Sequence, residues 1–566
     1  MNTRSSLPQI HADVDAMVQA HVKPGMHLHL ATNPSRPNAL IHALARNFRH
    51  KNPRFTISTT ALQGSGHALA LAGVIERAIT CFAGDNYPSP RPNRIYQNLL
   101  AGKPFVLEQW SILSLVQRLM AAALGSQYAV TRSLVGSDLE RAKEDVLFTI
   151  PDPAQPSESI TLLRSLAPDL TLVHGVCADD RGNVLLCAPT GEGHWGALAA
   201  RGGVIASVER IVPRAVIDAH ADRVLVPGHR VVGLCEARFG AHPQSLRTCG
   251  IGDIPSYRDD YAALLEIVER FRTAPDAEAW FRDWVAPPRG HDAYLAHLGE
   301  ERLHALSAVP ERKAAPAPQG EPTVAERLIA LAARQIVDLV LERDYQTILA
   351  GIGISHIAAW VAAKQLERRG VHVRLLAELG FYGMDPHPGD VYLFSQLHMG
   401  HCEQLAGVAE ILGCYVAGQA SKCLGVLGAG EIDPKGNINS TRTNTGKYII
   451  GSGGANDIAS TVDCLLVARE GKNRLVREVA YTTSPGRNVL GVVTPFGRFG
   501  RTTPEEPLSL STWLPVGSEG EATPSASVER WSDWPLPVES VSTEADIRDD
   551  ERALIWEIDA EGVYRR

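Results

Sequence analysis

A glutamate at the end of an apolar run is the residue of this sequence best placed for covalent chemistry. The run VHVRLLAE (371–378) predicts a strand that ends at Glu378, and Gly380 follows two positions later. Side chains at the carboxyl end of a strand project toward the edge where open α/β sheets bind ligands. Glu378 is therefore a candidate nucleophile, although the pattern alone also fits a glutamate with a structural role.

Two glycine-rich segments, GVLGAG (425–430) and GSGG (451–454), offer a second kind of chemistry. Glycine lets the backbone approach a ligand closely, so that N–H groups can face an anion or a polarised oxygen. The same glycines also fit tight turns without any further role. A nicotinamide or ATP site is weakly indicated, since GIGISH (351–356) lacks the third glycine of a dinucleotide motif and no P-loop occurs.

A polar loop near the start, ATNPSRPN (31–38), contains Ser35, Arg36 and Asn38. An arginine in such a loop can bind a carboxylate or a phosphate, although a solvated arginine is the commoner case. The pair HMGH (398–401) has helical spacing, but no acidic ligand completes a metal pattern, so no metal is expected.

Short strand-like runs that alternate with longer helical patterns must position these residues. Strands are predicted at 27–31, 55–62, 170–176, 203–212, 230–237 and 347–354, and helices at 38–48 and 356–369. This alternation predicts an α/β fold with mostly parallel sheets flanked by helices. The turn signature DxxGN occurs at 179–183 and again at 433–437, each followed by a Gly-Gly pair before a strand-like run (202–203 and 453–454), which indicates a duplicated fold.

Length and composition limit the number of domains, the class of protein and the partners to be expected. A chain of 566 residues predicts at least two domains, and 45% hydrophobic with 21% charged residues is typical of a globular protein. The net charge of −8 is too weak to argue for nucleic acid or a membrane surface as a partner. Nine scattered cysteines without a CxxC pair, and no apolar run that predicts a signal peptide or a membrane span, favour the cytoplasm.

The predicted domain organisation has four parts. The segment SAVPERKAAPAPQGEPTVAE is rich in proline, alanine and charge, which is typical of a linker. We therefore expect a first domain at 1–305, a linker at 306–324, a second domain at 325–505 and an extension at 506–566. Three tryptophans of the extension predict that it packs on the body, and IRDDERALIWEI (547–558) predicts a helix.

An ordered set of segments resembles the family I coenzyme A-transferases, most of all the glutaconate type. Residues 25–300 are similar to the α subunit, through GMHLHLATNPSRPNALIHALAR, EQWSILSLVQRLMAAALG, PDLTLVHGVCADDRGNV, GGVIASVERIV and VPGHRVVGLCEARFGAHP. Residues 325–500 are similar to the β subunit, through VHVRLLAELGFYGMDP, LGAGEIDPKGNINST and GSGGANDIAS. The resemblance implies two related open α/β domains of the CoA-transferase type, with the α and β subunits fused in one chain.

The resemblance also implies a reaction. In this family a glutamate of the β half attacks an acyl-CoA, and a glutamyl-CoA thioester then passes CoA to an acceptor carboxylic acid. A carboxylate suits this role because it is ionised near neutral pH without assistance. Glu378 matches the family's glutamate, with Leu379 replacing the small or polar residue often found there. CoA is then a substrate, no metal or redox cofactor is needed, and a homodimer is the expected assembly.

The remaining candidate residues follow from the same resemblance. The glycine loop would face the thioester and stabilise its oxyanion, with the set Gly428, Gly430, Gly451, Gly453 and Gly454. Asn456 and Asp457 would fix this loop. Glu108 falls where some relatives have an acidic active-site residue, and Ser35, Arg36 and Asn38 would bind substrate. Two alternatives stay open: a CoA-dependent hydrolase or C–C bond-cleaving enzyme, and a non-catalytic acyl-CoA-binding protein.

Overall fold

A computed structural model gives the fold of residues 7–248, 250–251, 253–286, 290–310, 315–515, 523–536 and 541–566. Most of the predicted strands and helices form where their patterns place them. The β-branched run FTISTTAL becomes a strand over Phe55–Leu62, and the apolar period of NALIHALARNF becomes a helix over Asn38–Phe48. Four residues of the predicted linker, 311–314, lie outside the described part of the chain.

The strands of the first half are β1 (Gln9–Ile10), β2 (His27–Leu30), β3 (Phe55–Leu62), β4 (Ile75–Ala83), β5 (Val106–Gln109), β6 (Tyr128–Thr131), β7 (Leu147–Pro151), β8 (Ser159–Arg164), β9 (Leu170–Ala178), β10 (Val184–Leu186), β11 (Val204–Ile211), β12 (Val224–Val226) and β13 (Val231–Glu236). Those of the second half are β14 (Thr347–Ala350), β15 (Arg374–Ala377), β16 (Phe381–Met384), β17 (Cys402–Leu405), β18 (Cys423–Gly428), β19 (Glu431–Ile432), β20 (Ile438–Asn439), β21 (Cys464–Val467), β22 (Val489–Thr494), β23 (Gly497–Gly500), β24 (Ser509–Trp513) and β25 (Ser542–Thr543).

The α-helices are α1 (Val14–His21), α2 (Asn38–Phe48), α3 (His67–Leu71), α4 (Ile112–Ala123), α5 (Asp138–Arg141), α6 (Gly193–Ala199), α7 (Arg214–Asp218), α8 (Tyr261–Arg270), α9 (Ala274–Trp284), α10 (His291–Leu298), α11 (Glu300–Ser307), α12 (Val324–Arg343), α13 (Ile354–Arg368), α14 (Gln396–Met399), α15 (Ala455–Ala459), α16 (Pro524–Trp531) and α17 (Asp549–Ile558). A π-helix covers Ala409–Val416. Among the described residues, none of these helices is both long and apolar enough to span a bilayer.

Each half is built on one large sheet, and the two sheets share a strand order. The first runs β1-β13-β11-β9-β2-β3-β4-β5, with every neighbouring pair along this path parallel. The second runs β17-β16-β15-β14-β18-β21-β22-β23-β24-β25, and its centre from β15 to β22 is parallel. The order β13-β11-β9-β2-β3 of one sheet corresponds to β22-β21-β18-β14-β15 of the other. The fold is therefore α/β with two related open sheets, as the sequence predicts.

The two DxxGN turns have the same geometry. The Oδ1 atom of Asp179 accepts the N–H of Asn183 (2.9 Å), and Oδ1 of Asp433 accepts the N–H of Asn437 (3.1 Å). The intervening glycines have left-handed φ angles of 82° and 81°. The two Gly-Gly pairs, in contrast, have different surroundings. Gly202-Gly203 directly precedes β11, whereas Gly454 caps α15 and β21 begins only at Cys464. The predicted strand after Gly453-Gly454 is therefore wrong, because those glycines turn the chain into a helix.

The two halves share one continuous apolar core. Leu113 and Leu115 of α4 belong to the same buried cluster as Leu412 and Phe381 of the second half. The C-terminal extension adds β24 and β25 to the second sheet, and its helix α17 packs on α12 and α13. Trp534 is buried and donates from Nε1 to the carbonyl of Val476 (3.0 Å). The extension is thus part of the second half's core, as its tryptophans indicate.

Candidate functional site

A cavity of about 480 Å³ lies where the two halves meet. It crosses the carboxyl ends of β15, β14, β18 and β21, which are neighbours in that order in the second sheet. The first half supplies the opposite wall, including Arg36, Thr60 and Phe82. Ligands of open α/β folds bind at this edge of the sheet, so the cavity is the candidate site.

Glu378 stands in the wall of this cavity, directly after the last residue of β15. Its side chain is partly buried, and its carboxylate accepts a hydrogen bond from the N–H of Gly454. Burial and the nearby Asp457 carboxylate raise the pKa of Glu378 to about 7. The expectation of a carboxylate that is ionised without assistance is therefore corrected, because about half of these groups carry a proton near pH 7.

The glycine loop 451–454 is held by hydrogen bonds that use most of its N–H groups. Gly451 donates to the carbonyl of Ser440 (2.9 Å), and Gly453 donates to the carbonyl of Cys81 in the first half (3.0 Å). Gly454 donates to Glu378. The expected role of Gly451 and Gly453 as oxyanion donors is thus corrected, since both N–H groups are already bonded. The buried hydroxyl of Ser452 has no partner among the described residues and lies in the cavity wall.

The glycines of the site differ in why they must lack a side chain. A Cβ on Gly454 would clash with the Glu378 carboxylate, and one on Gly451 would lie 2.6 Å from the carbonyl oxygen of Cys81. A Cβ on Gly430 would lie 2.7 Å from the carbonyl oxygen of Asn439. A Cβ on Gly428 would meet only Ser355 Oγ, at 3.8 Å. The first three glycines are required by packing, whereas Gly428 leaves open space in the cavity.

Asp457 ties the loop to the first half of the chain. Its Oδ1 accepts the hydroxyl of Ser111 (2.5 Å), and its Oδ2 accepts the N–H of Leu113 at the start of α4 (2.9 Å). Asn456 accepts the N–H of Leu134 (2.8 Å). Burial raises the pKa of Asp457 to about 6. These bonds agree with the expected role of both residues in fixing the loop, and they place a second carboxylate beside Glu378.

Of the three predicted residues in the polar loop, Arg36 alone lines the cavity. Its Nη1 donates to the carbonyl of Ala61 (2.9 Å), and burial lowers the pKa of its guanidinium to about 10. Ser35 donates instead to the carbonyl of Ser245, and Asn38 donates to the carbonyl of Ala241. Both of these side chains are buried in the first half, where they fix the loop that presents Arg36.

Glu108 does not lie in the cavity wall. Its carboxylate accepts hydrogen bonds from Nε1 of Trp110 (2.8 Å) and from Arg118 (3.2 Å). The Arg118 guanidinium also stacks on the Trp110 ring, 4.2 Å from its centroid. The structure therefore gives Glu108 structural partners outside the cavity wall.

His398 of the HMGH pair is buried, and its ring contacts the carbonyl of Tyr392 (3.0 Å). Within the described ranges, no group of three or more His, Cys, Asp or Glu side chains is arranged to hold a metal ion.

Sequence reasoning missed several polar residues of the cavity wall, among them Gln63, Ser452, Arg469 and Arg474. Ser452 stands inside the glycine loop, so its position was itself a usable signal. The two arginines follow the apolar run of β21, at the same sheet edge as Glu378, and this placement becomes visible only when the strand order is known.

Comparison with known proteins finds a family similar to the first half of the chain and relatives similar to both halves. The family model described as coenzyme A transferase matches residues 11–237. One of the two subunits of glutaconate CoA-transferase from Acidaminococcus fermentans is 24% identical over 252 residues, which cover 42% of this chain and 76% of the relative. The other subunit of the same enzyme is 29% identical over 153 residues, which cover 25% of this chain and 56% of the relative.

Other matches extend the likeness to the whole fold. The first two curated relatives are matched over 46% and 58% of their own lengths, so the chain spans about half of each. An acyl-CoA transferase from E. coli O157:H7, solved as a thioester complex with CoA, superposes with a TM-score of 0.65 over 98% of both chains, at 15% identity. Residues 11–237 thus match the coenzyme A transferase family model, and the chain joins in one polypeptide segments similar to both subunits of glutaconate CoA-transferase.

Proposed function

We propose that this protein moves CoA from an acyl-CoA to a carboxylic acid through a glutamyl-CoA thioester on Glu378. The observation that carries the proposal is a partly buried carboxylate in the wall of a cavity, against a glycine loop that leaves its other face open. The match of residues 11–237 to the coenzyme A transferase family model supports the same reaction. The proposal includes the division of the chain into a first domain, a linker, a second domain that contains Glu378, and an extension, at residues 1–305, 306–324, 325–505 and 506–566.

Each half of the reaction proceeds by two displacements at carbonyl carbon. A carboxylate oxygen of Glu378 attacks the thioester carbonyl of the acyl-CoA, the C–S bond breaks, and CoA leaves as a thiolate. The product is a mixed anhydride, whose glutamyl carbonyl is then attacked by the thiolate. That step forms glutamyl-CoA and releases the donor's carboxylate. The acceptor carboxylate repeats both steps in reverse, so that no water and no redox partner is consumed.

The surroundings of Glu378 suit a nucleophile of this kind. Removal from water weakens the solvation of a carboxylate and raises its energy, which the pKa of about 7 reflects. The Gly454 N–H holds one carboxylate oxygen and thereby orients the group. The hydroxyl of Ser452, buried and without a partner among the described residues, is available to donate to the oxyanion that forms on the thioester.

The two walls of the cavity suit two different parts of the substrates. Apolar side chains, namely Phe82, Ile112, Leu379 and Phe394, offer contacts to an acyl chain. Arg36 offers a buried positive charge to a carboxylate on the side of the first half. Ser35 and Asn38 act behind it, as residues that hold the loop.

A second candidate function, hydrolysis of the acyl-CoA, is favoured by one observation. A carboxylate whose pKa is about 7 is well matched to act as a general base on water. Glu108, the residue that relatives suggest for such a role, does not line the cavity, so Glu378 would have to serve instead.

Initial-rate kinetics separate the two functions. With an acyl-CoA and a series of short carboxylic acids, transfer predicts ping-pong kinetics and a new acyl-CoA formed in proportion to the donor consumed. Hydrolysis predicts free CoA at a rate that does not depend on the acceptor. Release of CoA without any acceptor product would overturn the transferase proposal.

A further inference from the structure

Two arginines stand at the opposite end of the cavity from Glu378. Arg469 follows β21 by two residues, and Arg474 lies in the same connection toward β22. Both line the cavity. Glu378 follows β15, and the strand order β15-β14-β18-β21 separates the two ends by three strand spacings. The cavity thus has a carboxylate at the end of β15, Arg469 at the end of β21, and Arg474 reaching the carbonyl of Ala429 just after β18.

The separation of the two ends can be estimated from the sheet itself. Neighbouring strands lie about 4.8 Å apart, so three spacings amount to about 14 Å. In coenzyme A, about 13 bonds connect the sulfur atom to the nearest phosphorus atom. An extended peptide advances about 3.5 Å for every three backbone bonds, so an extended arm of this length spans about 15 Å. When the thioester lies at Glu378, an extended arm therefore places the diphosphate beside the end of β21.

The path between the two ends runs over glycine backbone. Cβ atoms placed on Gly351 and Gly428 would meet their nearest neighbours only at 3.5 Å and 3.8 Å, and one on Gly353 would meet none within 4 Å. The bare backbone at the ends of β14 and β18 leaves room for a slender chain such as pantetheine. The amino terminus of α13 also faces the cavity, but it follows β14, a single strand from Glu378, and is too near to meet the diphosphate.

The two guanidinium groups form no ion pair in the described part of the chain, although the charge of Glu470 acts on Arg474 from a greater distance. Arg474 donates from Nη1 to the carbonyl of Ala429, and burial together with the charge of Arg469 lowers the pKa of its guanidinium. Neither arginine is within 4.0 Å of a carboxylate in the part of the chain that the structure describes, whereas the adjacent Lys472 pairs with Asp533 (3.7 Å). Glu470 lies between them in sequence but does not line the cavity.

The geometry points to Arg469 and Arg474 as the binding site for the diphosphate of coenzyme A, reached by the pantetheine arm along the glycine-lined floor. The inference rests on the proposed function for the identity of the ligand. It goes beyond that proposal by assigning two residues that set the affinity for CoA and take no part in the chemistry. Arginine suits this role because its guanidinium matches phosphate oxygens with two parallel hydrogen bonds.

The test measures binding of CoA, 3′-dephospho-CoA and pantetheine by calorimetry, with Arg469→Gln, Arg474→Gln and the double variant. We expect each single change to raise the Kd for CoA by about 10-fold or more, and the double change to raise it further. The Kd for 3′-dephospho-CoA should rise by the same factors, because it retains the diphosphate. The Kd for pantetheine, which has no phosphate, should stay within about 2-fold.

Controls separate this site from a folding defect and from the proposed reaction. Arg477→Gln removes an exposed arginine of the same connection that does not line the cavity, and it should leave every Kd unchanged. Arg474→Lys should recover part of the lost affinity if the charge is what matters. An unchanged Kd for CoA, or equal losses for CoA and pantetheine, would overturn the assignment. If instead wild-type protein binds CoA but shows no turnover, the proposed function fails while this assignment stands.

Discussion

The two halves of the chain share a framework and differ at the place where chemistry is proposed. Counting along paired strands, Leu28 faces Ile57 in the first sheet, and Ile348 faces Leu375 in the second. Three residues after Ile57 the first half has Thr60, and three residues after Leu375 the second half has Glu378. The same strand end thus carries a hydroxyl in one half and a carboxylate in the other.

The residues that cap the neighbouring helices show the reverse difference, because the first half has a glutamate there and the second half has a glycine. Gly454 caps α15 and leaves space for Glu378, whereas Glu192 caps α6 in the first half. The Glu192 side chain is fully buried, accepts the N–H of Thr32 (2.6 Å) and contacts His29 (3.2 Å). The carboxylate of the first half therefore fills its own site, while that of the second half faces a cavity.

The halves also hold each other at matching places. The end of β4 pairs with Gly451 of the glycine loop, and Gly407 of the second half pairs with Gly191 of the first. One of these reciprocal bridges supports the glycine loop beside Glu378, and the other supports the loop that carries Glu192. A duplicated scaffold can thus keep one copy of a site for structure and use the other for reaction.

The largest expected effect comes from removing the carboxylate of the second half. Glu378→Gln should reduce kcat/KM for transfer by about 10⁴-fold or more, because an amide cannot form the anhydride. The measurement is acceptor-dependent exchange of CoA. Glu403→Gln, which changes an exposed carboxylate on β17, serves as the matched control and should change the rate by less than about 2-fold.

A smaller loss is expected when the space beside that carboxylate is filled. Gly454→Ala places a methyl group against Glu378, and a displacement of about 1 Å in a reacting group costs about 100-fold in rate. Gly428→Ala is the matched change, since its Cβ has room, and it should cost less than about 10-fold. Equal effects of the two substitutions on kcat would contradict the packing described for the loop.

In the first half, loss of the corresponding carboxylate should affect stability. Glu192→Ala leaves the Thr32 N–H and the His29 ring without their buried partner, and we expect it to lower the free energy of unfolding by about 2–3 kcal/mol. Urea denaturation measures this change. The turnover of the folded fraction should remain within about 5-fold of the wild type, and a loss as large as that of Glu378→Gln would place Glu192 in the reaction.

The smallest effect concerns pH. Glu378 must be ionised to attack, so kcat/KM should rise with pH through about 7. Asp457→Asn removes a neighbouring negative charge that disfavours the ionised form, so the apparent pKa of this rise should fall, by about one unit or less. A pH profile of both proteins measures the shift. A rise that moves to higher pH in Asp457→Asn would mean that Asp457 stabilises the carboxylate.

Much of the framework was predictable because its signals are local. Strands such as β3 and helices such as α13 and α17 appear where apolar periodicity placed them, and the DxxGN turns mark the duplication. Glu378 could be placed at a strand end for the same reason. The resemblance to a known family then supplied the order of the parts.

The rest depended on contacts between distant residues. Asp457 bonds to Ser111, which is 346 residues away, and no local pattern predicts such a pair. Glu108 has near neighbours in sequence, Trp110 and Arg118, as its partners, and only the fold shows that it lies outside the cavity wall. The raised pKa of Glu378 likewise arises from its burial and from the carboxylate of Asp457, and both depend on the fold.

The most direct test of the account is the mass of the Glu378 peptide after the protein is incubated with an acyl-CoA in the absence of acceptor. We predict a covalent CoA adduct on that peptide, its loss when a carboxylic acid is added, and its absence from Glu378→Gln. Turnover to a new acyl-CoA with an unmodified Glu378 peptide, or with full activity in Glu378→Gln, would contradict the account.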